Sequence, residues 1–302
     1  MTSVIETQGL TKDYGNWRGL FDLDLTVPSG EVFGFLGPNG AGKTTTIRLL
    51  MGMIRPTRGS AAVFGLDCWK QSVDVKRKVG YVPGEMPQFG GLRGSEVVAY
   101  IAGLRRGVDV HVVSELTTRF DLDLGQRFRE YSRGNKQKLG LVLAFMHRPD
   151  LLILDEPTGG LDPLNQQEFY RLVAETRDRG ATTFLSSHIL SEVEHICTRV
   201  GIVRQGHLVR VASLADLHHL RVHEVEIEFA DKPPAELMRS IEGVDVKQID
   251  GRRVRLTVRG SFAPLMDALA GHHVLTIVSH EPSLEEVFLS YYGSAEPEPV
   301  AS

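Results

Sequence analysis

Cysteine is scarce: Cys68 and Cys197 are the only two in 302 residues, far apart and without metal-ligand spacing. That argues against a disulfide-stapled scaffold and a cysteine metal site, and it fits a reduced, cytoplasmic setting. No apolar run approaches the roughly 18 residues that span a bilayer. The longest candidate, Leu139 to Met146, stops at His147-Arg148-Pro149-Asp150. The N-terminal MTSVIETQGL has no basic segment followed by an apolar one, so no secretory signal is expected. An excess of positive charge is missing too. With 34 Lys and Arg against 38 Asp and Glu, the formal net charge is −4, and nucleic acid is not an expected partner. No repeat covers the whole chain.

What is present is a core-forming composition, 42% hydrophobic, in a length that suggests two domains at about 150 residues each. The chain is organised around Gly37-Pro38-Asn39-Gly40-Ala41-Gly42-Lys43-Thr44-Thr45. This fits the phosphate-cradling pattern Gly-x-x-x-x-Gly-Lys-Ser/Thr. Val32 to Leu36 before it reads as a buried strand, and Thr45 to Met53 after it has helix-compatible apolar spacing. Glycines let the backbone turn so that several N–H groups face one anion. The following helix N-terminus adds its dipole and free N–H groups. Lys43 is then placed to reach the β- and γ-phosphates, and the Thr44 hydroxyl to ligate Mg²⁺.

Alternation supplies the surrounding fold. Phe21, Leu23, Leu25 and Val27 alternate with Asp22, Asp24 and Thr26, a half-buried antiparallel pattern. Ser60 to Phe64 and Val79 to Pro83 read as further strands, the second running into the loop GEMPQFGGLRG at 84–94. From Ser95 to about Leu124 the pattern is helical. Val97, Val98, Ile101 and Leu104 form one apolar face, and Val112, Val113, Leu116 and Phe120 another. Residues 131–145 open a helix with Ser132 as N-cap. Leu151 to Leu154 is a buried parallel strand ending in Asp155-Glu156, and Thr182 to Leu185 is the next, followed by Ser186-Ser187-His188. Strands alternating with helices, with ligand-type residues at strand ends, predict a doubly wound α/β core. Near Leu220 the periods change to βαββαβ plus a terminal helix over Leu284 to Tyr291, a ferredoxin-like order. The tail SAEPEPVAS reads as disordered.

A phosphate loop alone identifies a nucleotide binder. Asp155 is placed to hold Mg²⁺ and Glu156 to polarise the water that attacks a γ-phosphate. Ser132, the Gly134 N–H and a helix N-terminus make a second anion site, although an ordinary capped helix fits Ser132 equally well. A lone histidine is more often structural; at the end of a strand of the same sheet, His188 is also placed to donate to a γ-phosphate oxygen.

The series Tyr14, GPNGAGKTT, the loop after YVP, YSRGN, LLILDEP, GGLDP and SSH resembles the ABC-transporter ATPase family, over about Ile5 to Ile202. The resemblance implies two subunits that sandwich two ATP molecules, the phosphate loop of one facing the signature motif of the other. It implies that Tyr14 stacks on adenine, and that Gly37, Gly40 and Gly42 shape the loop. Lys43, Thr44 and Thr45 bind phosphate and metal, and Ser132 and Gly134 contact the γ-phosphate across the dimer. Asp155 is the metal holder, Glu156 the general base, and His188 the γ-phosphate sensor. Gly160-Leu161-Asp162 couples the two sites. The cofactors implied are ATP and Mg²⁺. The expected organisation is an ABC-type α/β ATPase over 1–220 with an antiparallel β subdomain and a helical insertion near 90–150. A small α+β domain over 221–293 and a tail over 294–302 follow.

Two departures stand out. The family's usual Leu-Ser-Gly-Gly-Gln signature is here Tyr131-Ser132-Arg133-Gly134-Asn135. The usual glutamine after the YVP-type strand is replaced by Gly84 and then Glu85; Glu85 takes over the metal contact after a small loop shift, or the role is lost. YSRGNKQKLGL and PSLEEVFLSYYG resemble one subgroup, bacterial exporters with separate ATPase and membrane subunits, many linked to drug or antibiotic resistance. The expectation is a homodimeric ATPase serving a separate membrane permease, peripheral on the inner face of the cell membrane. The alternative is a non-transport ABC ATPase that regulates a macromolecule by ATP-driven dimerisation.

Overall fold

The computed structural model describes residues 2–105, 107–215, 222–259 and 261–280. The chain divides into two compact units, Met1–Ser213 and Leu214–Ser302. The boundary read near Leu220 and the helix read over Leu284 to Tyr291 lie outside the described residues.

The first unit contains two sheets. One is antiparallel, in the order β2-β1-β4-β5, from β1 (Ser3–Asp13), β2 (Gly19–Pro28), β4 (Arg58–Val63) and β5 (Leu66–Asp67). In β2 the alternation is realised as read: Leu23, Leu25 and Val27 are buried, while Asp22, Asp24 and Thr26 face solvent. The other sheet runs β10-β9-β3-β8-β7-β6. Its central strands β3 (Val32–Leu36), β8 (Thr182–Ser187), β7 (Leu151–Asp155) and β6 (Val79–Val82) are mutually parallel. β3, β7 and β8 are buried along their whole length; in β3 and β7 this matches near-continuous apolar runs under helices on both faces, while β8 also buries Thr182, Thr183, Ser186 and Ser187. β9 (Arg199–Arg204) joins β3 in parallel and β10 (His207–Ser213) closes the edge antiparallel. Because β3, β7 and β8 point the same way, their C-terminal ends bring Leu36, Asp155 and Ser187 to one rim, where a doubly wound sheet binds ligands.

The helices of this unit are α1 (Lys43–Leu50), α2 (Ser72–Lys78), α3 (Gly94–Arg105), α4 (Val110–Arg119), α5 (Arg133–Phe145), α6 (Pro163–Asp178) and α7 (Leu190–Ile196). The helical stretch expected from Ser95 to Leu124 is thus two helices. Val97 and Val98 are buried on α3, but Leu104 is 64% exposed, because α3 packs through its first turns. On α4, Val112 and Leu116 are buried, as is Phe120 at its C-terminus. Arg119 ties this insertion to the core: it meets Glu175 of α6 through two hydrogen bonds of 2.7 and 2.8 Å and also pairs with Glu168. Helix α5 seats directly on β6, since a Cβ at Gly80 would stand 2.3 Å from the Ala144 carbonyl oxygen.

The second unit has β11 (Val222–Phe229), α8 (Ala235–Arg239), β12 (Val244–Asp250), β13 (Arg253–Arg259), α9 (Ala263–Leu269) and β14 (Val274–His280). Its antiparallel sheet runs β12-β13-β11-β14, the ferredoxin-like arrangement. Val225, Ile227, Phe229, Val254 and Leu256 pack under Met238, Leu265 and Leu269 from the two helices.

Both cysteines are free and buried. Burial pushes the Cys68 thiol up to about 12 and raises that of Cys197 as well. Thiols held in the protonated form and shielded from solvent are poor nucleophiles. Treatment of the native protein with an aromatic disulfide reagent at pH 8 is therefore expected to label neither cysteine, and treatment in denaturant to label both. Fast labelling of the native protein would contradict this packing.

Candidate active site

The phosphate loop forms between β3 and α1 because its glycines take conformations other residues avoid. Gly40 and Gly42 have φ of 81° and 107°, in the left-handed region that costs an L side chain about 1–2 kcal/mol. Gly42 precedes the first turn of α1, which carries no side-chain cap and no acidic residue. The N–H groups of that first turn have no intrahelical partner, which is what an anion-binding helix start offers. Lys43 is 6% exposed. Its ammonium donates to the carbonyls of Gly37 at 2.7 Å and Pro38 at 3.2 Å, and it pairs with Glu156 Oε1 at 3.2 Å.

Strand β7 delivers the two acids to different environments. Asp155 is 1% exposed. Its Oδ1 accepts a 2.6 Å hydrogen bond from the Ser186 hydroxyl on β8, while Oδ2 is buried without a hydrogen-bond partner among the described residues. Its negative charge, after burial, helps push the neighbouring Tyr81 phenol up to about 12. Glu156 leaves the strand in a left-handed conformation with φ 49°. The strained turn is held by the Glu156 N–H, which donates to the carbonyl and the hydroxyl of Ser186 at 3.2 and 3.1 Å. The turn aims the carboxylate at the phosphate loop, where Oε1 meets Lys43 and Oε2 lies 2.6 Å from His188 Nδ1. One carboxylate is thus held between an ammonium and an imidazole.

These groups open into a cleft of about 980 Å³. Among the residues singled out from sequence, Tyr14, Asn39, Gly40, Gly42, Lys43, Thr44, Thr45, Glu85, Glu156 and His188 line it. Tyr14 is 54% exposed, with Lys12 Nζ 5.4 Å from the centre of its ring. Gly37, Pro38 and Ala41 form the frame of the loop rather than the wall, and Asp155 sits behind the wall. Ser132 and Gly134 are not in the lining, although Arg133, Lys136 and Gln137 of the same helix are. Ser132 caps α5, its hydroxyl accepting from the Asn135 N–H at 3.1 Å. Asp162 caps α6 in the same way; the Asn165 backbone N–H and side-chain amide hold its carboxyl below the usual range.

The loop after β6 shows what its unusual residues do. A Cβ at Gly84 would stand 3.1 Å from Asp155 Oδ2, so Gly84 leaves space beside that oxygen. Glu85 is exposed on the cleft wall and makes no hydrogen bond or ion pair among the described residues. Sequence reasoning named Ser186 only as part of SSH and gave no role to this serine, which braces both acids, and it passed over Gln137, which donates to the Pro157 carbonyl at 2.8 Å and anchors the loop behind Glu156 to α5. A serine at the end of a buried strand was the only signal for the first, and none pointed to the second.

A family model described as ABC transporter matches residues 20–159. The bacitracin transport ATP-binding protein BcrA of Bacillus licheniformis is 35% identical, over 97% of this chain and 98% of its own length. BcrA of Enterococcus faecalis is 37% identical, over 80% and 79%, and the linearmycin resistance ATP-binding protein LnrL of Bacillus subtilis 27%, over 96% and 98%. Among solved structures, an ATP-binding subunit of an ABC transporter superposes with a TM-score of 0.66 at 30% identity, covering 71% of this chain and 92% of that one. A dimeric bacterial ABC transporter cassette, at 20% identity and a TM-score of 0.62 over 70% and 98%, shares the fold. A nucleotide cleft built on these motifs and relatives aligned along almost the whole length lead to one conclusion: the chain belongs to the ABC transporter family, as a subunit that binds and hydrolyses ATP.

Proposed function

We propose that this ATPase drives a drug or antibiotic exporter, working as a homodimer on a separate membrane permease at the inner face of the cell membrane. The observation that carries the catalytic part is the Glu156 carboxylate held between Lys43 and His188 in the wall of the cleft. The relatives named for bacitracin transport and linearmycin resistance support the cargo class. Among the described residues no helix is long and apolar enough to cross a membrane; in this reading a separate permease supplies the translocation path.

In this reading the ATP phosphates lie on the first turn of α1 and on Lys43, with the adenine against Tyr14. The orphaned Oδ2 of Asp155 fits a divalent cation, which would satisfy a buried anionic oxygen that nothing else pairs. Asp155 and the Thr44 hydroxyl would hold Mg²⁺, with Glu85 joining them after an inward shift of its loop. Bound there, Mg²⁺ would neutralise charge on the β- and γ-phosphates. Glu156 takes a proton from the attacking water as its oxygen bonds to the γ-phosphorus and the bond to the ADP oxygen breaks. With Nδ1 turned to Glu156, His188 presents Nε2 to a γ-phosphate oxygen. Ser132 and Gly134, outside the lining of their own cleft, act on the ATP of the twin subunit, and Gly160 to Asp162 link the two sites.

The test is purification of the tagged chain from gently solubilised native membranes, with ATPase assays against candidate antibiotics. The expected result is an integral membrane protein in complex with the chain and hydrolysis stimulated by the exported compound. A chain that elutes alone and hydrolyses ATP at one rate with or without the membrane fraction would refute the transport reading.

A further inference from the structure

Behind the cleft lies a buried carboxylate that the chemistry above does not use. Glu192, in the first turn of α7, is 5% exposed. No Lys, Arg or His pairs with it among the described residues. Instead its two oxygens serve two different loops. Oε1 accepts from the Thr158 hydroxyl, and Oε2 accepts from the Ser187 hydroxyl at 2.6 Å. Thr158 is 4% exposed and Ser187 fully buried. A buried carboxylate with hydroxyl donors and no cation is costly to keep, and its charge is felt locally: after burial, it raises the Tyr170 phenol and the Cys197 thiol.

The two loops are those that carry the reacting pair. Thr158 stands two residues after Glu156, in a turn closed by the Gly159 N–H donating to the Glu156 carbonyl at 3.1 Å. Ser187 immediately precedes His188, and its hydroxyl also accepts from the Ile189 N–H at 2.9 Å, spanning the residue that bears the imidazole. One side chain therefore fixes both the turn after the base and the turn under its histidine. We infer that Glu192 is a positioning residue for hydrolysis, a buried clamp that holds Glu156 and His188 in register. It does not line the cleft. This rests on the reading of Glu156 as the base.

Glu192→Gln keeps the shape but offers one of the two hydroxyls an amide N–H2 in place of an acceptor. The expected outcome is a fall in kcat of about tenfold or more, as small misplacements of catalytic groups produce. The Kd for a non-hydrolysable ATP analogue should stay within about twofold, because the phosphate-binding groups are unchanged. Thr158→Val removes the donor to Oε1 and leaves the Glu192 side chain and its Ser187 contact in place; it should lower kcat in the same direction, with thermal denaturation checking that the protein is folded. In a His188→Ala background, Glu192→Gln should cost nothing further, since its effect passes through the pair already broken. The clamp is overturned if Thr158→Val leaves kcat unchanged in a folded protein, or if the Glu192→Gln and His188→Ala losses multiply. A Glu156→Gln variant run alongside separates the two ideas. If it still turns over, the base assignment has failed; if it is dead while Glu192→Gln and Thr158→Val are fully active, only the clamp has failed.

Discussion

Glu156→Gln is expected to keep ATP bound and stop its turnover, lowering kcat by about 10²–10⁴, the range for loss of a general base. The geometry says why binding survives. The amide is close in shape to the carboxylate and still presents an oxygen to Lys43, now 3.2 Å from Oε1, or to His188, 2.6 Å from Oε2. What it lacks is a site for the proton of the attacking water. Binding should hold or tighten, because a negative charge beside the γ-phosphate is removed while Lys43 stays. Equilibrium binding of a fluorescent ATP analogue and steady-state phosphate release measure the two quantities separately. In the dimeric reading the variant also accumulates as an ATP-bound dimer on gel filtration. Turnover at the parent rate would remove Glu156 from the mechanism.

Lys43→Met is expected to act on the opposite quantity. The ammonium is nearly buried and is shared between the carbonyls of Gly37 and Pro38 and the Glu156 carboxylate. Methionine fills much of the same space without charge or donors. Each charge-assisted hydrogen bond to phosphate contributes about 1.5–3 kcal/mol, so losing two raises the Kd for ATP by roughly 100-fold or more. The loop should persist, because Gly40, Gly42 and the packing of β3 set its path; thermal denaturation tests this. Titration calorimetry with ATP gives the Kd, and a value within about threefold of the parent would place the phosphates elsewhere. Together the variants separate the roles: one binds without hydrolysing, the other scarcely binds.

The phosphate loop, the acids after β7 and the histidine after β8 were legible in the sequence for a common reason. Each lies in or directly after a short buried strand, and local backbone rules suffice to expose it. The ferredoxin-like order of the second unit was legible because alternation and turn residues mark its strands. Helix α2 and strands β9 and β10 were not, since they are short and their burial is set by neighbours distant in the chain. The break between α3 and α4 falls between the two apolar faces, where Gly107 and the N-cap Asp109 stand, but no boundary was drawn there.

The sequence by itself determined the candidate groups: the glycine-rich loop before Lys43 and Thr44, the acids at the end of one buried strand, and glycine at position 84 followed by Glu85. Only the tertiary structure decided how those groups divide the work. It places Asp155 behind the wall with one oxygen unpaired, and it turns Glu156 through a left-handed residue onto Lys43 and His188. It also sets Gly84, 71 positions earlier in the chain, against Asp155. Ser186 and Glu192 acquire their roles from hydrogen bonds across 31 and 34 positions, to Asp155 and Thr158. Such contacts form because parallel strands bring remote chain ends to one rim, a consequence of topology that leaves no local pattern in the sequence.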